Sequence, residues 1–260
     1  MADIMTENAF YTRLEKRGLI QIEGTDRKAF LQGLITNDIE KLAPGALLYA
    51  CLLSPQGKFL HDFFIAEGNE VLLLECEGGM RAQDLYERLN RYRLRADVHI
   101  SVEEHVPVYA VLTSLSSRPT AGSGEILDPS TALGMTILKD PRHNNMGYRS
   151  FEKPDLPEQP FETWDTQRIK LCIPDGSRDL IPEKSTMDEA RMDQIGAIDY
   201  DKGCYVGQEL TARMHYRGLG KKHLQMVNIN DLPEKAELRS RCGDIGLALV
   251  RGDIYKDGAS

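Results

Sequence analysis

The sequence is poor in cysteine and contains no long apolar run. Its five cysteines are odd in number and never stand in C-x-x-C spacing, so they indicate neither a disulfide framework nor a closed zinc site. No stretch approaches the roughly 18 apolar residues of a membrane span, and the N-terminus lacks the basic-then-apolar pattern of a signal peptide. We therefore expect reduced thiols, a cytoplasmic location and no membrane among the partners.

The chain also lacks an excess of positive charge. Its 32 lysines and arginines stand against 40 aspartates and glutamates, which gives a formal net charge of -8. A broad contact with a phosphate backbone needs the opposite balance, so nucleic acid is not expected as a partner. The six histidines show no H-x-H or H-E-x-x-H spacing, and we expect no metal site.

Hydrophobic periodicity predicts an α+β fold. Apolar runs bounded by turn residues are typical of strands, and apolar residues three and four apart are typical of helices. Hairpin-like connections with few crossover helices favour antiparallel sheets with helices on one face. The predicted strands span residues 19–23, 47–53, 59–66, 71–76, 98–102, 108–113, 224–229 and 247–250. The predicted helices begin after Asp26 and also span residues 81–94, 162–171, 186–195 and 208–217.

Two segments are predicted to be irregular. Residues 114–129 are rich in serine, glycine and proline and have little apolar content, which predicts a surface loop. Residues 153–160 hold three prolines in eight positions. Proline cannot occupy a helix interior, so this segment is expected to be a semi-rigid linker or a strap over the surface.

The densest chemical signal is K-G-C-Y-V-G-Q-E at residues 202–209. Cys204 follows Gly203, so its backbone has unusual freedom, and it precedes a predicted helix whose unpaired amides favour negative charge. With Lys202 nearby, these features favour a thiolate, and Cys204 is the candidate reactive group. The alternative is that Cys204 simply fills space, as most free cysteines do.

Two further features are candidates for ligand binding. Arg213 and Arg217 lie four apart on one predicted helix face, where they would hold a carboxylate or phosphate. The alternative is a solvated basic stripe. Trp164 stands four residues before Arg168, an arrangement that would offer a stacking surface beside a cation. The alternative, packing in the core, is the more usual role of a lone tryptophan.

The order of motifs resembles that of the YgfZ-type folate-binding family, relatives of the glycine-cleavage T-protein that act in iron-sulfur cluster maturation. The residues 202–209 are that family's specific signature. The other matching motifs are G-T-D at 24–26, F-L-Q-G at 30–33, T-N-D at 36–38, L-S-P-Q-G-K at 53–58, R-I at 168–169, I-P-E at 181–183 and G-L-A-L-V-R at 246–251.

The resemblance implies a T-protein-like (aminomethyltransferase-like) fold whose lobes surround a hole that takes tetrahydrofolate. It implies a multi-lobed folate-binding core over residues 1–221, a short β-rich segment over residues 222–260, and a functional role for Cys204. Two departures weaken the enzyme interpretation. His61-Asp62 replaces an Asp-Asp pair, and Lys170 replaces a glutamate that anchors the pterin in the transferases.

Three functions follow from these observations. The leading hypothesis is a tetrahydrofolate-binding accessory protein in iron-sulfur cluster assembly or repair, with Cys204 as a functional thiolate. Its partners would be iron-sulfur enzymes or cluster-assembly proteins. Trp164 and Tyr205 would stack on the pterin, and Arg213 and Arg217 would hold the glutamate tail. The alternatives are a one-carbon (aminomethyl) transferase acting through Asp62, and a folate-binding regulator without a redox role.

Overall fold

The computed structural model describes residues 9–103, 106–113 and 137–252. These residues form two compact units that alternate along the chain. The first unit takes in the described parts of 1–31, 39–49 and 63–164, and the second those of 32–38, 50–62 and 165–260. The predicted loop at residues 114–129 lies outside the described residues. The predicted 222–260 segment falls in the second unit together with residues 165–221, and a division at residue 221 stays a prediction.

The strands form three sheets. The bounds are β1 Ala9–Arg13, β2 Arg17–Glu23, β3 Leu48–Leu53, β4 Phe59–Glu67, β5 Val71–Glu77, β6 His99–Glu103, β7 Tyr109–Thr113, β8 Leu138–Lys139, β9 Tyr148–Ser150, β10 Lys222–Asn228, β11 Glu237–Cys242 and β12 Ile245–Arg251. The strand orders are β3-β4-β5-β2-β6, β1-β7-β9-β8 and β10-β12-β11. Antiparallel pairing joins β1 to β7, β7 to β9, β9 to β8, β4 to β5, β5 to β2, β2 to β6, β10 to β12 and β12 to β11.

The helices of the described residues are short, apart from one in the first unit. They are α1 Arg27–Gln32, α2 Met80–Arg93, α3 Phe161–Lys170 and α4 Gln208–Arg217. The predicted periodicity of α2 is confirmed, since Leu85 and Leu89 are fully buried. They face β2, β5 and β6, which α2 packs against. None of the described helices has the length and apolar character needed to cross a bilayer.

The proline-rich segment at residues 153–160 lies along β1 as a strap within the first unit. The backbone N–H of Tyr11 donates to the carbonyl of Pro157 at 3.0 Å, and that of Gln159 donates to the carbonyl of Tyr11 at 2.8 Å. The Tyr11 hydroxyl donates to Glu158 at 2.7 Å. Extended proline-rich chain is suited to this role because it presents free carbonyls without needing a helix.

A buried ionic cluster also lies in the first unit. Arg149 on β9 donates to Glu75 on β5 at 2.6 Å and pairs with Asp140 at 3.3 Å, while Arg142 reaches Asp140 at 2.8 Å. Arg17 on β2 pairs with Glu75 at 2.8 Å. Burial would raise the pKa of Asp140, but the guanidinium groups of Arg142 and Arg149 outweigh it and lower that pKa. The cluster therefore holds β9 to β5 through charge-assisted hydrogen bonds in the interior.

The prediction of a helix over residues 186–195 is wrong. Only a 3-10 turn at Asp188–Ala190 is present there, followed by turns. Arg191 adopts a left-handed backbone with φ of 48°, and a non-glycine residue in that conformation ends a right-handed helix. The sequence pattern also did not predict β11, because its charged residues are not typical of a strand. In the structure β11 pairs with β12.

Candidate functional site

Cys204 lies exposed on an irregular segment of the second unit that leads into α4. The residues after it are fixed by hydrogen bonds. The backbone N–H of Tyr205 donates to the Gln208 side-chain oxygen at 3.2 Å, and the N–H of Val206 donates to the carbonyl of Gly33 at 3.2 Å. The thiol is therefore accessible to solvent while its flanking backbone is held in place.

Lys202 anchors the segment on the other side of Cys204. Its ammonium group donates to the carbonyls of Gln32, Ile35 and Asn37 at 2.7–2.8 Å. Burial lowers the pKa of Lys202 to about 8, against the opposing attraction of Asp38 and Asp199. Three carbonyl oxygens therefore bind the ammonium group, and the expectation that Lys202 favours a thiolate at Cys204 stays a prediction.

The T-N-D motif holds the chain just before this segment. The Thr36 hydroxyl donates to the carbonyl of Ala197 at 2.6 Å and accepts from the N–H of Cys51 at 2.8 Å. The Asn37 amide donates to the carbonyl of Gly196 at 2.8 Å. Residues 32–38 thus form a cradle for residues 196–206, although some 160 positions separate the two in sequence.

Gly207, the residue before α4, packs tightly against the turn at residues 54–57. It has a φ of 82°, and a Cβ atom there would lie 2.4 Å from the carbonyl oxygen of Ser54. The facing Gly57 has the same constraint, since its Cβ would lie 2.7 Å from the carbonyl oxygen of Gly207. The glycines of K-G-C-Y-V-G-Q-E and L-S-P-Q-G-K therefore allow two backbones to approach closely.

Cys204 differs from the other cysteines in its exposure. Cys51 and Cys76 are fully buried, and Cys172 and Cys242 are partly buried. Burial raises the pKa of the Cys51 and Cys172 thiols. The Cys204 sulfur makes no hydrogen bond to any residue that the structure describes. Among the described thiols, Cys204 has the most direct access to a reagent or a protein.

The two proposed stacking residues are buried. Trp164 is 1% exposed, belongs to the first unit, and packs on Phe161 with the Arg149 guanidinium over its ring. Tyr205 is 9% exposed, and burial raises the pKa of its phenol to about 12. Its ring centroid lies 5.2 Å from the Lys202 ammonium nitrogen. Neither ring presents an open face to a pterin.

The two proposed tail-binding arginines lie on the exposed face of α4. Arg213 forms an ion pair with Glu209, four residues earlier. Arg217 makes no ion pair with any residue in the described ranges. Neither arginine lines the cavity beside α4. That cavity contains Asp188 and Asp193, with no arginine or lysine in its lining, so it does not suit a glutamate tail.

The residues that depart from the transferase pattern differ in their exposure to solvent. His61 and Asp62 on β4 are 1% and 2% exposed, whereas Lys170 at the end of α3 is exposed. A buried carboxylate on a central strand has little access to a substrate. Burial therefore limits substrate access to Asp62, and its role as the acid of a one-carbon transferase stays a prediction.

Sequence reasoning missed the role of Arg168, which lies at the centre of a buried network in the second unit. The Arg168 guanidinium donates to Asp165 and Asp179, both at 2.6 Å, and to Ser240 on β11 at 2.9 Å. Asp165 stands three residues earlier, and this spacing on a helix was the available signal. Arg168 therefore ties α3 to the C-terminal sheet and is fully buried.

The fold and the site now allow comparison with known proteins. Residues 6–113 match the family described as the GCVT N-terminal domain. The human iron-sulfur cluster assembly factor IBA57, mitochondrial, is 30% identical over 281 residues, which cover 94% of this chain and 78% of that protein. The chain belongs to the IBA57 family.

A second relative agrees with this assignment, and a solved structure shares the fold. The IBA57 homologue of Pyricularia oryzae is 32% identical and covers 96% of this chain and 73% of that protein. The crystal structure of glycine cleavage system aminomethyltransferase T from Bartonella henselae superposes with a TM-score of 0.63 at 14% identity, over 95% of this chain and 79% of that one. The predicted α+β, T-protein-like fold is confirmed.

The expectation of a cytoplasmic location is contradicted, because the IBA57 relatives are named as mitochondrial proteins. That expectation rested on the composition and on the lack of a long apolar run. Neither observation distinguishes one aqueous compartment from another. Composition was therefore not sufficient to predict the compartment.

Proposed function

We propose that this IBA57-family protein is an accessory factor in iron-sulfur cluster assembly or repair that acts through the thiol of Cys204. The observation that carries the proposal is the exposed Cys204 on a segment fixed by Lys202, Val206 and Gly207. A rigid backbone keeps the sulfur accessible while limiting the entropy lost on binding. The signature at residues 202–209 supports placing the chain in the narrower YgfZ-type group.

A single cysteine determines what this chemistry can be. One thiol cannot hold a cluster alone, so Cys204 supplies one ligand to a cluster whose other ligands come from a second protein. Its S–H bond breaks, the proton passes to solvent, and the sulfur donates an electron pair to iron. Release of the cluster reverses this step. The iron-sulfur cluster is then a cargo, and the client enzymes or assembly proteins are the partners.

Tetrahydrofolate, the cofactor implied by the resemblance, does not fit the residues first proposed for it. Trp164 and Tyr205 are buried, Arg213 is paired with Glu209, and the cavity beside α4 is lined by two aspartates. A pterin needs an open slot with directional hydrogen bonds. These side chains therefore give folate no part in the proposed chemistry of Cys204.

The test is rescue of a strain that lacks the gene. Cys204→Ala and Cys204→Ser are expected to leave the activity of a [4Fe–4S] dehydratase at the level of the deletion strain, because the ligand to iron is lost. Cys242→Ser is the matched control, since a hydroxyl keeps the contact with Thr166 that the partly buried Cys242 sulfur makes at 3.3 Å.

Protein level and circular dichroism are measured for each variant to confirm folding. Full rescue by Cys204→Ala at normal protein level would refute the role of the thiol. Loss of rescue by Cys242→Ser at normal protein level would show that the effect is not specific to Cys204.

A further inference from the structure

The C-terminal half of α4 and the turn after it carry exposed cations and apolar side chains side by side. Tyr216 is 71% exposed and Leu219 is 47% exposed, the latter just beyond the helix end at Gly218. Arg213, Tyr216 and Arg217 stand at i, i+3 and i+4 and so share a helix face. We call Arg213, Tyr216, Arg217, Leu219 and Lys221 the α4 surface.

The positive charges of the α4 surface are only partly neutralised. Arg213 pairs with Glu209 in an exposed contact, and such surface pairs stabilise little. Arg217 and Lys221 form no ion pair with any residue from 9–103, 106–113 or 137–252. Nearby acidic groups contact other side chains, since Asp193 faces His215 at 3.5 Å and Asp188 faces His223 at 3.1 Å. A chain of net charge -8 thus presents a local cationic patch.

The shape of this patch favours a protein over a small anion. Small-molecule sites are concave and lined by converging groups, whereas these residues cover an exposed helix face and the turn beyond it. The cavity beside α4 is lined instead by Leu210, Met214 and their neighbours. Exposed tyrosine and arginine next to an apolar side chain are the residue types enriched at the centres of protein interfaces.

We propose that the α4 surface docks an acidic protein that carries an iron-sulfur cluster. Carboxylates on that protein would face Arg213, Arg217 and Lys221, and an apolar spot would cover Tyr216 and Leu219. This inference rests on the proposed function of Cys204. α4 rises about 15 Å over its ten residues, and a standard interface is about 30 Å across on each protein. A protein seated on α4 is therefore large enough to reach the segment that carries Cys204.

The test places a photo-crosslinking phenylalanine analogue at position 216 of the full-length protein in cells, with the same analogue at Tyr92 on α2 as the control site. Adducts are identified by mass spectrometry. An acidic iron-sulfur protein linked at position 216 and absent at position 92 is the expected result. An adduct with RNA, with a second copy of this chain, or with no protein would overturn the proposal.

Charge reversal tests whether the cations of the α4 surface attract the acidic partner. Arg217→Glu with Lys221→Glu is expected to reduce the crosslink at position 216 by about tenfold or more, because steering by opposite charge is lost. The matched control, Arg91→Glu with Arg95→Glu, changes two exposed arginines at the end of α2 by the same total charge and should leave the yield unchanged. An equal loss in both double variants would contradict a local docking surface.

Two further arms separate this proposal from its alternatives. Cys204→Ser should keep the crosslink while failing to rescue, since docking does not need the thiol. If rescue depends on Cys204 but no crosslink forms at position 216 of the otherwise unchanged protein, the docking surface is overturned and the proposed role of the thiol is not.

Calorimetric titration with tetrahydrofolate should give the same heat for wild type and the Arg217→Glu, Lys221→Glu variant. A loss of heat in that variant alone would assign these cations to the folate tail instead.

Discussion

The Lys202 ammonium group is half-buried and surrounded by three carbonyl oxygens, and its protonation is linked to folding. Burial lowers its folded-state pKa to about 8, while a lysine in an unfolded chain has a pKa near about 10.4. Between these values the unfolded chain binds more protons than the folded one. The free energy of unfolding therefore gains a contribution that increases with pH across that window.

Comparison with Lys202→Met isolates this contribution. We expect the unfolding free energy of the wild type, relative to the variant, to increase from pH 7 to pH 10 in urea titrations. The methionine has no proton to release, so it provides the baseline. A constant or decreasing difference would show that the ammonium group is not desolvated as the structure places it.

At the scale of single residues, the sequence singled out Cys204, which the structure places on the surface, but it did not reveal what surrounds that residue. Sequence adjacency does not reveal that residues 32–37 supply three carbonyls to Lys202. Trp164 was proposed as a stacking residue, yet the structure places it in the core. Local spacing predicts which side chains share a helix face, but it does not predict burial set by distant segments.

At the scale of elements, the approach of Gly207 to the turn at residues 54–57 positions α4. Gly207→Ala is expected to destabilise the protein by about 2–3 kcal/mol, because the added Cβ meets a carbonyl oxygen in a left-handed backbone. Gly203→Ala is the matched control, since no atom lies within 4 Å of its Cβ position. Urea denaturation measures both variants, and equal stability of the two would contradict the packing described.

Most elements were predicted from their own residues, and two of the failures have identifiable physical causes. α2 and β5 carry clear apolar patterns, so the predicted 81–94 and 71–76 agree with the structure to within a residue or two. The 186–195 helix failed because Arg191 adopts a left-handed backbone. β11 was missed because its pairing with β12, rather than its own composition, makes it a strand.

At the scale of the whole molecule, the fold followed from the order of motifs more than from composition. G-T-D, T-N-D, L-S-P-Q-G-K and K-G-C-Y-V-G-Q-E lie far apart in sequence, and three of them meet in the second unit. No propensity predicts that meeting. Composition predicted neither a membrane span nor a disulfide framework, and the prediction of a cytoplasmic location was wrong, because different aqueous compartments impose similar demands on a protein surface.

The central claim is that Cys204 is an accessible thiol on a fixed segment, and native-state alkylation measures it directly. Iodoacetamide is added to the folded protein, and mass spectrometry follows the modification of each cysteine with time. Cys204 is expected to react at least about tenfold faster than Cys51 and Cys76, which should react only after denaturation, because modification needs solvent access and thiolate. Protection of Cys204 to the same degree as Cys51 would contradict the account.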